Sequence, residues 1–417
     1  MFDWIFTTIL DVNASPYQTY PGTTIHIYVT VNVTWSVLDF SSFLVEAFYN
    51  GTAISTKVIF IIGSGHDTFT LDFAWNTSSL EPGSYQVSAA TSTGASYEDG
   101  YVRILQTLTV PDDHPTIQAA INAANEGDTI FVRNGTYEEN LNITKKLTIL
   151  GENVQGTIVY SFEVHADNVT ISGFQTHWEL GTGIVLYDAC YCNISNNQVG
   201  SKTYGIWLDN SSHNYITNNH IHQALYWGIT LFYGCNDNTI RQNSIARSHL
   251  EIGIFIMGSN NNTLDSNDLS HNYWPLVIND AASNRIYHNN IIDSHNRPSL
   301  YNAPNTSWDN GCEGNYWSDY QDRYPNASHD WYGIWNTSYI IDAENVDRYP
   351  LRNLYWNIAD LNHDLKVDIF DLVSMCASYC LDWQEHMCHV DVAEPYGIID
   401  IFDVVAVAVN YGKEYVP

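Results

Sequence analysis

The chain has 417 residues and ordinary apolar content, long enough for two to four domains with substantial cores. Lysine and arginine together number 15 against 46 aspartates and glutamates, a formal charge of −31. Such a surface argues against nucleic acid and anionic membranes as partners, since both need basic patches, and it attracts cations instead.

No run approaches the ~18 apolar residues of a membrane-spanning helix. The N-terminal MFDWIFTTIL lacks a basic region, and its apolar stretch is too short for a signal peptide. Thirteen Asn-x-Ser/Thr sequons lie at Asn13, Asn32, Asn50, Asn76, Asn134, Asn142, Asn168, Asn193, Asn210, Asn261, Asn305, Asn326 and Asn336. The expectation is an exported glycoprotein of the cell exterior or surface, written after signal removal or with a misplaced start. The seven cysteines are odd in number and form no paired Cys-x-x-Cys zinc spacing.

Residues 1–105 alternate apolar and polar side chains in short runs such as TTIHIYVTVNV and GSYQVSAATS, punctuated by YPG, YNGT and EPGS. That pattern predicts a β-sandwich of immunoglobulin type. The segment from 106 opens with one amphipathic helix. Ile117, Ala120, Ile121 and Ala124 share a face, Pro115 helps start the helix and Gly127 stops it. This reads as a lid over the end of an exposed core.

The core up to residue 352 is repetitive. Ile171, Ile194, Ile216, Ile240, Leu264 and Ile286 recur at spacings of 22 to 24, with Asn197, Asn219, Asn243, Asn267 and Asn289 three residues after the last five. A period near 23 with β-rich repeats predicts a parallel β-helix, one coil per repeat. Side-chain amides stacked from coil to coil would satisfy polar groups at a tight internal turn. VPDDHPTIQAAINAANEGDTIFVRNGTY, the repeats and WDNGCEGNYWSDY together resemble the exported, NosD-like right-handed β-helix proteins of archaea, in the pectin-lyase-like superfamily. The resemblance covers roughly residues 106–352. The Asp/Gly-rich run that follows WSDY in such proteins is replaced here by NASHDWYGIWNTSY.

In residues 353–417, VDIFDLVSMCASYC and IDIFDVVAVAVNYG repeat at an interval of 32, each a loop followed by an apolar helix. The pair resembles a dockerin domain. Asp360, Asn362, Asp364, Asp368 and Asp371 occupy loop positions 1, 3, 5, 9 and 12, with the Lys366 carbonyl at position 7, the oxygen spacing for calcium. Leu365 stands where glycine is expected. The second loop retains Asp391, Asp400 and Asp403 and is a weaker calcium site. A disulfide from Cys388 to Cys376 or to Cys380 suits an oxidising compartment.

The superfamily that the chain resembles includes polysaccharide lyases, hydrolases and epimerases, which implies catalytic acids on the coils. Val185, Tyr187, Trp207, Phe232, Phe255 and Met257 form an outward stripe, read as a subunit interface, a sugar-stacking surface or a face covered by the chain itself. Asp209 stands among these aromatics as a weak general-acid candidate, with no second outward carboxylate on the neighbouring coils of that strand. Asp188 and Asp280 are four coils apart, about 19 Å. Lys202, Arg241, Arg247 and Arg285 are scattered, none beside an acidic cluster in this register. His220 and His222 both face outward without a third metal ligand.

The functional expectation is a non-catalytic structural protein of the cell exterior, a self-assembling subunit of a layer, sheath or filament or an adhesin. Calcium supports the docking of its C-terminal domain onto copies of itself or another surface protein. The alternative is a carbohydrate-active enzyme or sugar-binding β-helix, with glycans as partners.

Overall fold

A computed structural model describes residues 4–176, 181–200, 202–246 and 252–356, together with 360, 361, 363, 365–367, 371, 407, 409, 410 and 413. The chain divides into two units, residues 1–107 and residues 108–417.

In the first unit, Trp4–Ser15, Thr24–Tyr49, Gly83–Thr91, Ser96–Ile104 and Gln18–Thr19 lie side by side in that order, and Thr52–Asn76 pairs with Thr24–Tyr49. Period-two alternation places Ile25, Ile27, Val29, Val31 and Val33 wholly inside. All six strands join one hydrogen-bonded sheet, a β-sheet unit.

The second unit is a parallel β-helix. Each coil contributes three strands, for example Thr182–Tyr187, Asn193–Ser195 and Gln198–Gly200, which stack on the equivalent strands of neighbouring coils as a first, second and third face. The second face is nine strands wide. Its register pairs Ile171 with Ile194, Ile194 with Ile216, Ile216 with Ile240, Ile240 with Leu264 and Leu264 with Ile286. These residues are the core column.

The asparagine column is buried and continuous. Asn197, Asn219, Asn243 and Asn267 each donate through Nδ2 to the next Asn Oδ1 at 2.9–3.1 Å. Asn289 donates to Asn315, and Asn315 donates to the Asp347 carboxylate at 3.3 Å. A second ladder, missed in the sequence, runs through Asn214, Asn238, Asn262 and Asn284. It lies two residues before each core isoleucine or leucine. Corners between faces are turned by single residues at positive φ, such as Asn196, Asn218, Gln242 and Ser266, a conformation Asn tolerates well.

Helix Ile117–Ala123 buries Ile117, Ala120 and Ile121 against the first coils. Thr116 caps it, and the Glu139 carboxylate accepts from Ile117 N and Gln118 N, both at 2.9 Å. The helix ends before Gly127: the Lys145 ammonium donates to the Ile121, Asn122 and Ala124 carbonyls. Trp308, Trp317, Tyr320 and Tyr339 pack into the same core from the C-terminal side.

Candidate functional site

The first face carries the outward stripe. Cross-coil pairing puts Val185 beside Trp207, Trp207 beside Thr230, Thr230 beside Phe255 and Phe255 beside Val277. The stripe is not a bare apolar patch. Val185 and Phe255 are only 8% and 6% exposed, and Ile252, Phe255 and Val277 form one cluster with Trp227, Phe232, Met257 and Trp274. Trp207 stacks on Trp227 with centroids 5.6 Å apart and meets Tyr204 edge-on at 5.0 Å. What remains open is the end near Tyr187, which is 38% exposed.

Titratable groups gather at that end. Tyr187 pairs with Asp209 across adjacent coils, and Asp209 with Phe232 on the next. His165 stacks on Tyr187 at 5.6 Å and bonds Glu163 at 2.8 Å. Asp188, at a corner with φ +50, is held by Asn210 Nδ2 at 2.6 Å. Partial burial, and then the Asp188 carboxylate, push the Asp209 acid above the ordinary carboxylate range. Burial, followed by the charges of Glu163 and Asp209, raises the Tyr187 phenol. Strand register alone sets Asp209 beside Tyr187 and Phe232, neither an acid. Asp188 comes from the turn that follows the strand, one position beyond its end.

A second cluster was also missed. Arg241 pairs with Asp265 on the next coil, Nε to Oδ2 at 3.0 Å, contrary to the expectation that no arginine sits beside acids. Asp265 continues to His288 Nδ1 at 3.2 Å, His288 Nε2 to Glu313 at 2.7 Å, and Glu313 to His363 Nε2 at 3.0 Å. Burial would lower the His288 imidazole, but its bonds to Asp265 and Glu313 outweigh that and raise it to about 9. The signal was present one residue after the core column, at Arg241 and Asp265. Lys202 is buried, Arg285 lies 6.0 Å from the Tyr287 ring centroid, and Arg247 lies outside the described residues.

His220 and His222 have ring centroids 5.2 Å apart. Burial, and then His220, lower the His222 imidazole. Among the described residues no group of three His, Cys, Asp or Glu side chains is arranged to hold a metal. In the C-terminal loop, Asp360 and Asp371 are both buried. Asp360 accepts from Trp356 Nε1 at 2.6 Å and Leu365 N at 2.9 Å, and Asp371 accepts from Leu361 N at 2.8 Å. Burial, with a contribution from Asp371, pushes the Asp360 acid up to about 6 despite His363 and Trp356. Leu365 takes φ +73, the conformation glycine would adopt freely. Asn362, Asp364, Asp368, Asp391, Asp400, Asp403, Cys376, Cys380 and Cys388 lie outside the described residues. Cys312 is disulfide-bonded, whereas Cys190, Cys192 and Cys235 are free. Every sequon asparagine is exposed except Asn32, which is half-buried.

The family "periplasmic copper-binding protein (NosD)" matches residues 121–322. The described residues do not fit a copper centre, since His220 and His222 gather no third ligand. No curated protein matches the chain. Among solved structures, the catalytic domain of a GH87 alpha-1,3-glucanase in complex with nigerose is similar at 12% identity and TM-score 0.37, over 71% of this chain and 70% of that one. A periplasmic alginate epimerase is similar at 14% identity and TM-score 0.35, over 43% and 60%. An alginate lyase from Paenibacillus sp. str. FPU-7 is similar at 15% identity and TM-score 0.28, over 48% and 97%.

The expected non-catalytic role as a self-assembling surface subunit or adhesin is corrected. The stripe that suggested a subunit interface is largely packed within its own face, with Ile252, Phe255 and Val277 clustered against Trp227, Phe232, Met257 and Trp274.

Proposed function

We propose that this chain is a carbohydrate-active β-helix protein whose sugar site lies on the first face, around Asp209. One observation carries the reading. A half-buried acid, raised by burial and by a second carboxylate, stands at the open end of an aromatic seam. Tyr187 and Trp207 offer ring faces for sugar stacking, and Asp209 is held protonated to higher pH than an ordinary carboxyl, as a general acid requires. Asp188 supplies the partner carboxylate of a glycosidic hydrolysis, in which one acid protonates the leaving oxygen and the other acts on the anomeric side. The Glu163–His165 pair holds the rim through its stack on Tyr187.

The same proposal places the protein outside the cytoplasm, in keeping with a family described as periplasmic and with thirteen sequons. It assigns calcium to the loop of Asp360, Asn362, Asp364, Lys366, Asp368 and Asp371. Two buried carboxylates, with Asp371 close enough to help raise the Asp360 acid, are an arrangement that a divalent cation relieves.

The test is a polysaccharide panel including alpha-1,3-glucan and alginate, followed by reducing-end release. Asp209→Asn and Asp188→Asn, each checked for native melting, should lose about 10²–10⁴-fold in rate. Activity should fall as pH rises through the elevated Asp209 pKa. Unchanged cleavage by Asp209→Asn, or no cleavage and no binding of any glycan, would overturn the assignment. Binding without cleavage, weakened by Tyr187→Ala, would convert it to a sugar-binding face.

A further inference from the structure

On the opposite side of the coils, where the second face turns into the third, lies a cavity of about 530 Å³. Its floor is made by successive coils. Arg241 projects from the second face, Gln242 and Ser266 stand at the left-handed corners, and Ser244 and Asp268 pair across adjacent strands of the third face. Its rim comes from beyond the solenoid, from Tyr355, Trp356 and Asn410. The rim is fixed in place. Tyr355 N donates to Asn290 Oδ1 at 2.8 Å, Asn290 Nδ2 returns a bond to the Tyr355 carbonyl at 2.9 Å, and the Tyr355 ring stacks on His288 at 4.0 Å and 2°. The Trp356 indole is tethered through its N–H to Asp360.

An acid in this cavity lacks a hydrogen-bond partner among the described residues. Asp268 Oδ1 is buried and finds no hydrogen bond among the described residues. Leaving a buried acceptor or acid unpaired is costly, so the site calls for a ligand that supplies a hydroxyl. The charges select what kind. Arg241 is neutralised by Asp265, and the chain as a whole carries −31, so an anionic ligand gains little and meets a repulsive field. The lining is amide, hydroxyl, guanidinium and carboxyl, with one indole beside them, and its volume falls in the range of small-molecule sites. Amides and hydroxyls in number, with an aromatic neighbour, match a neutral polyhydroxylated ring.

We propose that this corner is a second glycan-binding site, distinct from the first face, taking one or two neutral sugar units against Asp268, Arg241 and Trp356. Its ligand class rests on the carbohydrate reading above, but its position does not. Because the floor belongs to the coils and the rim to the segment after them, the site exists only while that segment is docked.

The experiment is calorimetric titration of the full chain with nigerose, maltose and cellobiose, with an alginate trimer as the acidic comparison, at concentrations up to about 10 mM. Asp268→Leu removes the unpaired carboxyl at similar volume, and Ser244→Leu fills the cavity from an outward strand position. At least one neutral disaccharide should bind, and each variant should weaken it about tenfold or more. The inference is overturned if no neutral disaccharide binds, if only the alginate trimer binds, or if both corner variants bind as the parent does. Polysaccharide cleavage without corner binding would sink this site alone. Corner binding without cleavage or binding at the first face would sink the first-face assignment alone.

Discussion

His288 shows how much one side chain does in this fold. It sits at a left-handed corner, bonds Asp265 on the preceding coil and Glu313 beyond the repeats, and stacks on Tyr355. Its pKa, about 9 when folded, lies above the ~6.5 of an unfolded histidine. The stability it contributes is therefore fully present below about pH 6.5 and is lost as pH rises through 9, because only the protonated ring donates to both acids. The melting temperature should fall across that window by an amount equivalent to on the order of 3 kcal/mol. His288→Gln should be less stable at pH 6 and should flatten the slope. An unchanged slope in that variant would show that other groups cause it. The chemistry of this residue was hidden in the sequence because Glu313 and Tyr355 belong to no repeat. By contrast, Arg241 beside Asp265 follows from the same 24-residue step that aligns Ile240 with Leu264.

At the scale of elements, the asparagine ladder explains why a column of polar residues can run through a core. Asn243 donates to Asn267 Oδ1 and to the Ile216 carbonyl, and accepts from both the backbone and side-chain amides of Asn219. Every polar atom of the amide is used, so the column costs little despite its burial. Asn243→Ala would strand the Ile216 carbonyl and two donors of Asn219 at once. The expected loss is about 3–5 kcal/mol in urea unfolding, well above that of an exposed asparagine such as Asn261. A loss below about 1 kcal/mol would mean the neighbours re-pair or admit water. This element was legible because a solenoid hydrogen-bonds each coil to the next, so one sequence period specifies the neighbours of every residue in it. The parallel ladder of Asn214, Asn238, Asn262 and Asn284 obeys the same rule and was equally available.

Across the second unit as a whole, the segment after the repeats is tied to the coils where Tyr355 bonds Asn290 and stacks on His288, and His363 is held by Glu313. If calcium fills the Asp360–Asp371 loop, its binding energy is transmitted to that docking. At a concentration one hundred times Kd it adds about 2.7 kcal/mol. Scanning calorimetry with and without a calcium chelator should show a lower melting transition on chelation, restored by calcium and abolished by Asp371→Asn. Identical melting in all three conditions would leave the loop held by packing alone.

Sequence alone determined the repeating part of this protein, namely the coil length, the core column, the buried asparagines and the helix that opens the solenoid. Periodicity suffices there because each coil's contacts are local copies of the last. Tertiary structure decided the rest. It brought Asp188 from a turn beside Asp209, packed Phe255 and Val277 into a seam that outward register alone would leave bare, and laid Tyr355 on Asn290 across 65 residues of chain. None of these contacts repeats, so no period in the sequence can encode them, and they depend on side chains from different coils and segments meeting in space.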